Sequence, residues 1–399
     1  MNTREVVITG VGCLGPFGIG MADLATALQR GEALTKPIDR TAGYHRANSA
    51  TEFAACGPLD LSPWLSPQAA RRMSNLSQYA VAAARMALQH AGLGDVRGER
   101  TAISLATAFG PGAFTEQLAR QILEKGGKAA SPFLFTDCVA NAAAGQVAID
   151  LGARGANSTI CQREAGPLLA LIQGAEDVAR ARADICLAGA VDEMSSLSHA
   201  ILDRFRALVR PAPHGELPRP FDRRRTGMLA GEGATIVVLE AADAARARGA
   251  RVLARNGPSV RAFEPTEGRA SFGRDAHGLA ATLGERIGDA LSSVDAVVST
   301  ASGARQADAL EAGILRQALR HGPPVLVPKA VHGEYGGGTI AAALLALHGS
   351  EFARPPACSE PDPALGITPF GGHMKAQRVL CSALAAGGAA AWTMLEAAR

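Results

Sequence analysis

The sequence predicts a layered α/β fold in which helices cover buried sheets, and three observations predict it. Apolar residues make up 47% of the 399 residues and charged residues 19%, enough for a large Ala/Gly-rich core. Short β-branched runs flanked by glycine recur along the chain. Between them lie Ala/Leu/Arg stretches whose apolar residues return at three- and four-residue steps. Strand-helix alternation of this kind gives sheets covered by helices. The length suits two domains or one large duplicated domain.

The strands expected are Val6–Gly12, Thr101–Ala108, Asp184–Val191, Ala234–Glu240, Ala296–Thr300 and Val325–Val327. Their apolar residues are continuous rather than alternating, which means burial on both faces. The periodic segments Ser77–Ala91, Gly166–Ala183 and Ala304–Leu319 are the expected helices. Asn256–Gly278 is rich in glycine, proline and charge and has no periodicity. It is expected as a loop separating an N-terminal half, 1–250, from a C-terminal half, 251–399, with Pro355–Pro363 as a second loop.

A net charge of +3 provides no whole-protein field for nucleic acid or an anionic membrane. An aromatic content of 4% argues against base-stacking platforms. Seven scattered cysteines without a CxxC pair read as reduced thiols in a cytoplasm. The nine histidines show no HxxxH or HExxH spacing, so no metal site or other cofactor is expected. Met1–Arg4 runs straight into a strand-like segment, leaving no room for a signal peptide. No uncharged tract exceeds the 17 residues of Val379–Leu395, which is interrupted by Gly387-Gly388. That is too short and too broken to span a membrane. The expectation is a soluble cytoplasmic protein.

Several motifs together resemble the β-ketoacyl synthase family, the condensing enzymes of fatty-acid and polyketide assembly. Val6-Val7-Ile8-Thr9-Gly10-Val11-Gly12 resembles that family's first strand, and Ser131-Pro132-Phe133 with Gly145 its dimer-interface segment. Arg219-Pro220-Phe221-Asp222, Thr226-Gly227-Met228 and Gly231-Glu232-Gly233-Ala234 are close to its central signature, and Asp184–Gly189 to the strand after its nucleophile helix. The resemblance implies a thiolase-like fold, layered α-β-α-β-α, built from two similar halves with mixed five-stranded sheets.

An active condensing enzyme needs a cysteine thiolate to carry the acyl chain and two imidazoles to stabilise developing negative charge, with a lysine in support. By the family's spacing, nine residues beyond Gly155 and twenty-five before Gly189 both land on Glu164. A carboxylate is a poor acyl-transfer nucleophile, because its anhydride hydrolyses readily. Ser302 stands where the first histidine would, and Glu334 where the second would, while Lys329 is retained. The family's gate loop aligns with Ala385-Ala386-Gly387-Gly388, without its phenylalanine. Cys161, three residues before Glu164, reads as a core thiol; the alternative makes it a displaced nucleophile with His332 as its base. Cys138, Cys186 and Cys381 read as core or interface thiols. Glu164 is expected to plug the site by pairing with a neighbouring arginine. If Glu164 and Glu334 are both buried, repulsion and desolvation raise at least one pKa, with Arg163, Lys329 or Arg305 compensating.

This pattern resembles the chain-length factors of type II polyketide synthases, partner subunits without the nucleophile that pair with an active ketosynthase. It differs from them in carrying glutamate rather than glutamine at the lost cysteine. The resemblance implies a non-catalytic subunit of a heterodimer that shapes the acyl tunnel, in polyene (including aryl polyene) or aromatic polyketide assembly. Acyl carrier protein and its chain are then indirect partners. Family tunnel positions fall on Phe109 and Leu134, with Phe114 one helical turn beyond Phe109, and ordinary core packing is the competing reading. The arginines Arg204, Arg206, Arg219, Arg223, Arg224 and Arg225 read as an ion-paired face before a carrier-protein dock. Two alternatives stay open: an active or decarboxylating enzyme using Cys161 and His332, and a homodimeric ligand-binding pseudoenzyme.

Overall fold

In the computed structural model, residues 3–398 except 212 and 336 are described. The strands that build the main sheet are β1 (Val6–Gly15), β2 (Thr101–Ala106), β3 (Asn157–Ile160), β4 (Ile185–Asp192) and β5 (Gly233–Ala241). They are followed by β6 (Ala254–Phe263), β7 (Ala296–Ser299), β8 (Val325–Leu326), β9 (Arg378–Leu384) and β10 (Ala389–Glu396). Their order across the sheet is β8-β7-β9-β10-β6-β1-β5-β4-β2-β3, and Gly18–Ile19 adds a short eleventh strand on β1.

That order is one five-strand pattern used twice. In the first set β2 pairs parallel with β3 and β4, and β4–β5 and β5–β1 are antiparallel. In the second, β7 pairs parallel with β8 and β9, and β9–β10 and β10–β6 are antiparallel. Each strand of the first set thus has its counterpart five strands later. The sets meet where Val7 faces Arg255 and Ile8 faces Ala254, between β1 and β6.

Strand faces alternate between layers, as a pleated sheet requires. Cys186 and Ala188 of β4 and Cys381 and Ala383 of β9 face one shared central core. That core also holds the helix that follows residue 165 and the apolar helix that follows residue 337. On its other face the first set packs Leu187 and Val238 against α1 (Asn75–His90) and, beyond α2 (Gly112–Lys125), against α3 (Ala142–Leu151). The central layer is α4 (Gly166–Ala179), joined by the later central helix. On the far side of the second set, Leu380 and Trp392 pack against α5 (Ala276–Ile287) and α6 (Arg305–Ala318). The later central helix is α7 (Gly338–His348), apolar all round because both sheets cover it. The result is five layers, α-β-α-β-α.

The expected strands and helices are all present within a few residues. The stretch Asn256–Gly278 is the exception, because its first part belongs to β6 and pairs with β10. Its polar residues suppressed the strand signal, and a register shift opposite Met394 absorbs Gly257 and Pro258. Residues 264–275 do lack helix and strand, as do most of residues 355–363. Among the described residues, no helix is long and apolar enough to cross a membrane.

Candidate functional site

The segments that follow the parallel strands converge at one end of the sheet. Cys161 and Glu164 follow β3, Asp192 ends β4, Ser302 follows β7, Lys329 and Glu334 follow β8, and Ala386 follows β9. Crevices outside the carboxyl ends of parallel strands are where α/β folds place ligands. Because β3 and β8 are counterparts, the turns ahead of α4 and α7 carry the two facing halves of the site.

The turn after β3 is a sharp elbow. Arg163 takes φ 44°, a left-handed conformation that costs a residue with a Cβ on the order of 1–2 kcal/mol. A single 3₁₀ turn, Arg163–Ala165, then leads into α4. Gly166 seats this elbow on β2, where an added Cβ would come within 3.0 Å of the Ala106 Cβ. Glu164 is half-buried, and its Oε2 accepts the backbone N–H of Ala386 at 3.1 Å. Among the described residues the expected arginine pairing is absent. Arg163 donates to the Arg269 carbonyl at 2.8 Å and Arg305 to the Arg225 carbonyl at 3.0 Å. The backbone turn between β9 and β10 supplies the donor instead, close enough that no cation is required.

Across the site, the Lys329 ammonium donates to Glu334 Oε1, both side chains being almost wholly buried. Glu334 Oε2 has no hydrogen-bond partner among the described residues. Burial pushes the Glu334 carboxyl up to about 7; Lys329 opposes this, and the charges of Glu164 and Asp192 add to it. Of the three compensating cations expected, Lys329 is the one that acts. Its neighbour His332 is fully buried, its Nδ1 on the Gly333 carbonyl at 2.9 Å and its ring edge-on to Tyr335, 4.9 Å between centroids. Burial drives its pKa down to about 4, so the imidazole is neutral at physiological pH. Gly338 makes room for the ring, since a Cβ there would lie 2.5 Å from it.

Ser302 is buried in the turn after β7, where Asp308 Oδ1 accepts the N–H groups of Ser302 and Gly303 at 3.3 and 3.2 Å. Burial raises Asp308 to about 6 and Glu311, one turn further along α6, to about 7.

Cys161 departs from the core-thiol reading, because it is exposed. It follows the last strand at the sheet's edge, where no further strand covers it. Partial burial and the nearby Asp192 charge hold its thiol above the ordinary range, which disfavours the thiolate. No hydrogen bond or ring contact joins Cys161 to His332 among the described residues. Cys186 and Cys381 are buried, as expected, and Cys138 is half-buried.

A family model for the β-ketoacyl synthase N-terminal domain matches residues 3–245, more than half of the chain. The chain belongs to the β-ketoacyl synthase family. It is 31% identical over 403 residues to the tetracenomycin polyketide synthase ketoacyl synthase alpha subunit of Streptomyces glaucescens, covering 94% of this chain and 92% of that protein. It is 31% identical over 259 residues to 3-oxoacyl-[acyl-carrier-protein] synthase 2 of Vibrio cholerae, covering 64% of this chain. The match spans 62% of the Vibrio protein's own length, under two thirds of it. Among solved structures it resembles the ishigamide ketosynthase/chain length factor, with a TM-score of 0.87, 25% identity and full coverage of both chains. The repeated five-strand halves are the thiolase-like architecture of these ketosynthases.

Within this β-ketoacyl synthase frame the expected tunnel residues do not form one group. Phe109 packs with Ile38, Phe53, Met194, Leu208 and Met228. A cavity of about 540 Å³ lies beside that cluster, lined by Ile38, Phe53, Ala55, Met194, Glu116 and Arg120. Phe114 pairs instead with Phe133, 6.0 Å between ring centroids, and Leu134 is buried in the helical turn after Ser131. Three of the six arginines in the cluster form an ion-paired seam: Arg223 meets Glu360, Arg224 meets Asp222 and Arg225 meets Asp362. Arg219 is buried on the carbonyls of His214, Gly215 and Leu217. One site residue, Asp192, went unnoticed in the sequence. Asp192 accepts from the Thr107 hydroxyl at 3.1 Å and the Ala108 N–H at 2.6 Å, and Glu311 bears on Lys329. An acidic pair, Asp192-Glu193, at the end of an apolar strand was the available signal for the aspartate.

Proposed function

We propose that this protein is the non-catalytic, chain-length-factor subunit of a type II ketosynthase heterodimer, pairing with an active β-ketoacyl synthase and shaping its acyl tunnel. One observation carries the reading: a carboxylate stands at the elbow, already hydrogen-bonded to the Ala386 N–H. That donor would otherwise be free to meet the oxygen of an acyl group. A thioester carrier cannot form on Glu164, and the neutral, packed His332 reaches neither Glu164 nor Cys161 by any hydrogen bond among the described residues.

A partner is supported by the surface around β3. This edge strand is only half covered, and edge strands with free backbone groups are pairing templates. Beside it in sequence, Leu123, Phe135 and Ile149 are 86%, 64% and 76% exposed, with Ile122, Phe133 and Val139 also exposed. Exposed apolar side chains in this number fit another subunit better than water. The resemblance to a ketosynthase/chain length factor supports an active ketosynthase as that subunit, and the likeness to a tetracenomycin polyketide synthase subunit supports polyketide assembly. Halves 1–250 and 251–399 would then each contribute one side of the site.

The test is acylation mass spectrometry of the chain, alone and co-purified with its neighbouring ketosynthase, using an acyl-carrier-protein donor. We expect the label on the partner's cysteine and none on this chain. Label on Cys161, with condensation by this chain alone, would replace the reading by that of a displaced nucleophile.

A further inference from the structure

A cavity of about 640 Å³ lies at the other end of the second set of strands from the elbow. It is framed by the last turn of α6, the entry to β8 and the segment 366–371. α6 leaves the Ser302 turn at Arg305 and runs 14 residues, roughly 21 Å at 1.5 Å per residue, before reaching it. The cavity is therefore separate from the elbow.

Its floor is apolar, with Leu315, Leu319, Ile367 and Phe370 among its lining residues, and its charged side chains are three arginines, Arg316, Arg320 and Arg354. No aspartate or glutamate lines it. None of the three guanidinium groups forms an ion pair among the described residues, in contrast to the seam of Arg223, Arg224 and Arg225. Arg316 reaches the carbonyls of Ala364 and Leu365 only at 3.5 Å, and Arg354 meets the Cys358 carbonyl at 3.1 Å. Two glycines bring backbone close to these arginines. At Gly366, with φ 63°, a Cβ would lie 3.2 Å from the Arg316 guanidinium carbon, and at Gly371 it would lie 2.5 Å from the Arg354 backbone nitrogen.

We propose that this cavity binds a small amphipathic anion, an apolar body of medium acyl length carrying one carboxylate or phosphate head. The volume falls within the range of small-molecule sites, and an apolar floor with a few convergent polar groups is their usual lining. Guanidinium forks match either head in bidentate fashion. The C-terminal end of α6 opposes an anion with about half a negative charge, so three unpaired cations prevail. Pro323 and Pro324 offer no backbone N–H, which leaves recognition of the head to the side chains. The inference is independent of the proposed partner.

Calorimetric titration of the full chain with octanoate, octyl phosphate, octanol and inorganic phosphate tests it. Saturable binding of octanoate or octyl phosphate is expected, the tighter of the two identifying the head, with octanol and inorganic phosphate at least tenfold weaker. Arg316→Gln with Arg354→Gln should weaken the anionic amphipath at least tenfold; both side chains are exposed, so the fold should hold. Absence of saturable binding, inorganic phosphate binding as well as octanoate, or octanoate binding that survives the double substitution would each overturn the proposal. The last outcome would place octanoate elsewhere, as in an acyl tunnel.

Discussion

Glu164 and Ala386 meet across the site: the carboxylate Oε2 of the first accepts the backbone N–H of the second at 3.1 Å. The bond ties the elbow after β3 to the turn between β9 and β10, so each half of the chain closes over the other's strand ends. Hydrogen bonds to a charged group contribute about 1.5–3 kcal/mol, enough to hold the turn in one position.

If Glu164 fills the site rather than reacting, its removal should cost little in product formation. Glu164→Gln and Glu164→Ala, co-expressed with the partner synthase, should keep turnover within about threefold of the parent complex. Glu164→Ala alone loses the acceptor, so its melting temperature should fall while that of Glu164→Gln stays close to the parent. A hundredfold loss of turnover in both, about 2.7 kcal/mol at the transition state, would assign the carboxylate a catalytic role.

Phe109 should limit chain length. Its cluster borders the 540 Å³ cavity through Ile38, Phe53 and Met194, so truncation would enlarge that space. Phe109→Ala, with the milder Phe109→Leu as a check on packing loss, should shift the product toward additional extension units, read by mass spectrometry of released chains. Core truncations of phenylalanine cost about 3–5 kcal/mol, so thermal stability is measured alongside. A product of unchanged length from a folded Phe109→Ala complex would return Phe109 to ordinary packing.

The apolar face beside β3 should be needed for pairing. Leu123→Asp with Ile149→Asp places two charges on residues that already face solvent in the isolated chain, so its stability should change little. Burying each leucine or isoleucine contributes about 1.5–3 kcal/mol, so losing both should weaken pairing more than a hundredfold. Size-exclusion chromatography of the co-expressed pair should then show separate subunits. Co-elution at the parent position would move the interface to another face.

Much of this was legible in sequence because the strands are continuous apolar runs buried on both sides, Val6–Gly12 and Ala234–Glu240 above all. The glycine registers around Gly155 and Gly189 also fixed Glu164 at the elbow, where the structure has it. Three features were not legible, each for its own reason. β6 carries Asn256, Gly257, Pro258 and Ser259, whose place in the sheet is set by backbone pairing to β10 and not by side-chain burial. Cys161 is chemically a small hydrophobe, but its exposure follows from β3 being the edge strand, a property of topology. The Glu164 acceptor role needed Ala386, 222 residues away, whose contribution is a backbone N–H common to every alanine in the chain.

His332 should make the fold sensitive to acid. Its pKa in the folded chain, about 4, lies below the ordinary 6.5, so the unfolded chain binds more protons between these values. The stability this neutral histidine provides is intact above pH 6.5 and is lost as the pH falls toward 4, on the order of 3 kcal/mol in full. Thermal unfolding followed from pH 7 to pH 4.5 should show a shallower decline for His332→Gln than for the parent, whatever the substitution costs at neutrality. Parallel curves would show that protonating His332 is not coupled to unfolding.

Glu311 should act with the opposite sign. It is fully buried on α6, and burial raises its carboxyl from 4.5 to about 7; the hydroxyls of Ser382 and Ser299 and the Lys329 charge oppose this, and Asp308 adds to it. Here the folded chain binds the extra proton, so the stability associated with this group is complete below pH 4.5 and lost as the pH rises through 7. Glu311→Gln keeps the shape and hydrogen-bonding capacity of the protonated acid and removes its ionisation. The variant should match the parent in melting temperature near pH 5 and exceed it increasingly toward pH 8, by an amount on the order of 1–3 kcal/mol. A gap that stays constant across that range, or that favours the parent at pH 8, would mean that ionised Glu311 is stabilised by Lys329 more than burial opposes it. Lys329 would then be shared between Glu311 and Glu334, and Lys329→Met should destabilise the chain more at pH 8 than at pH 5.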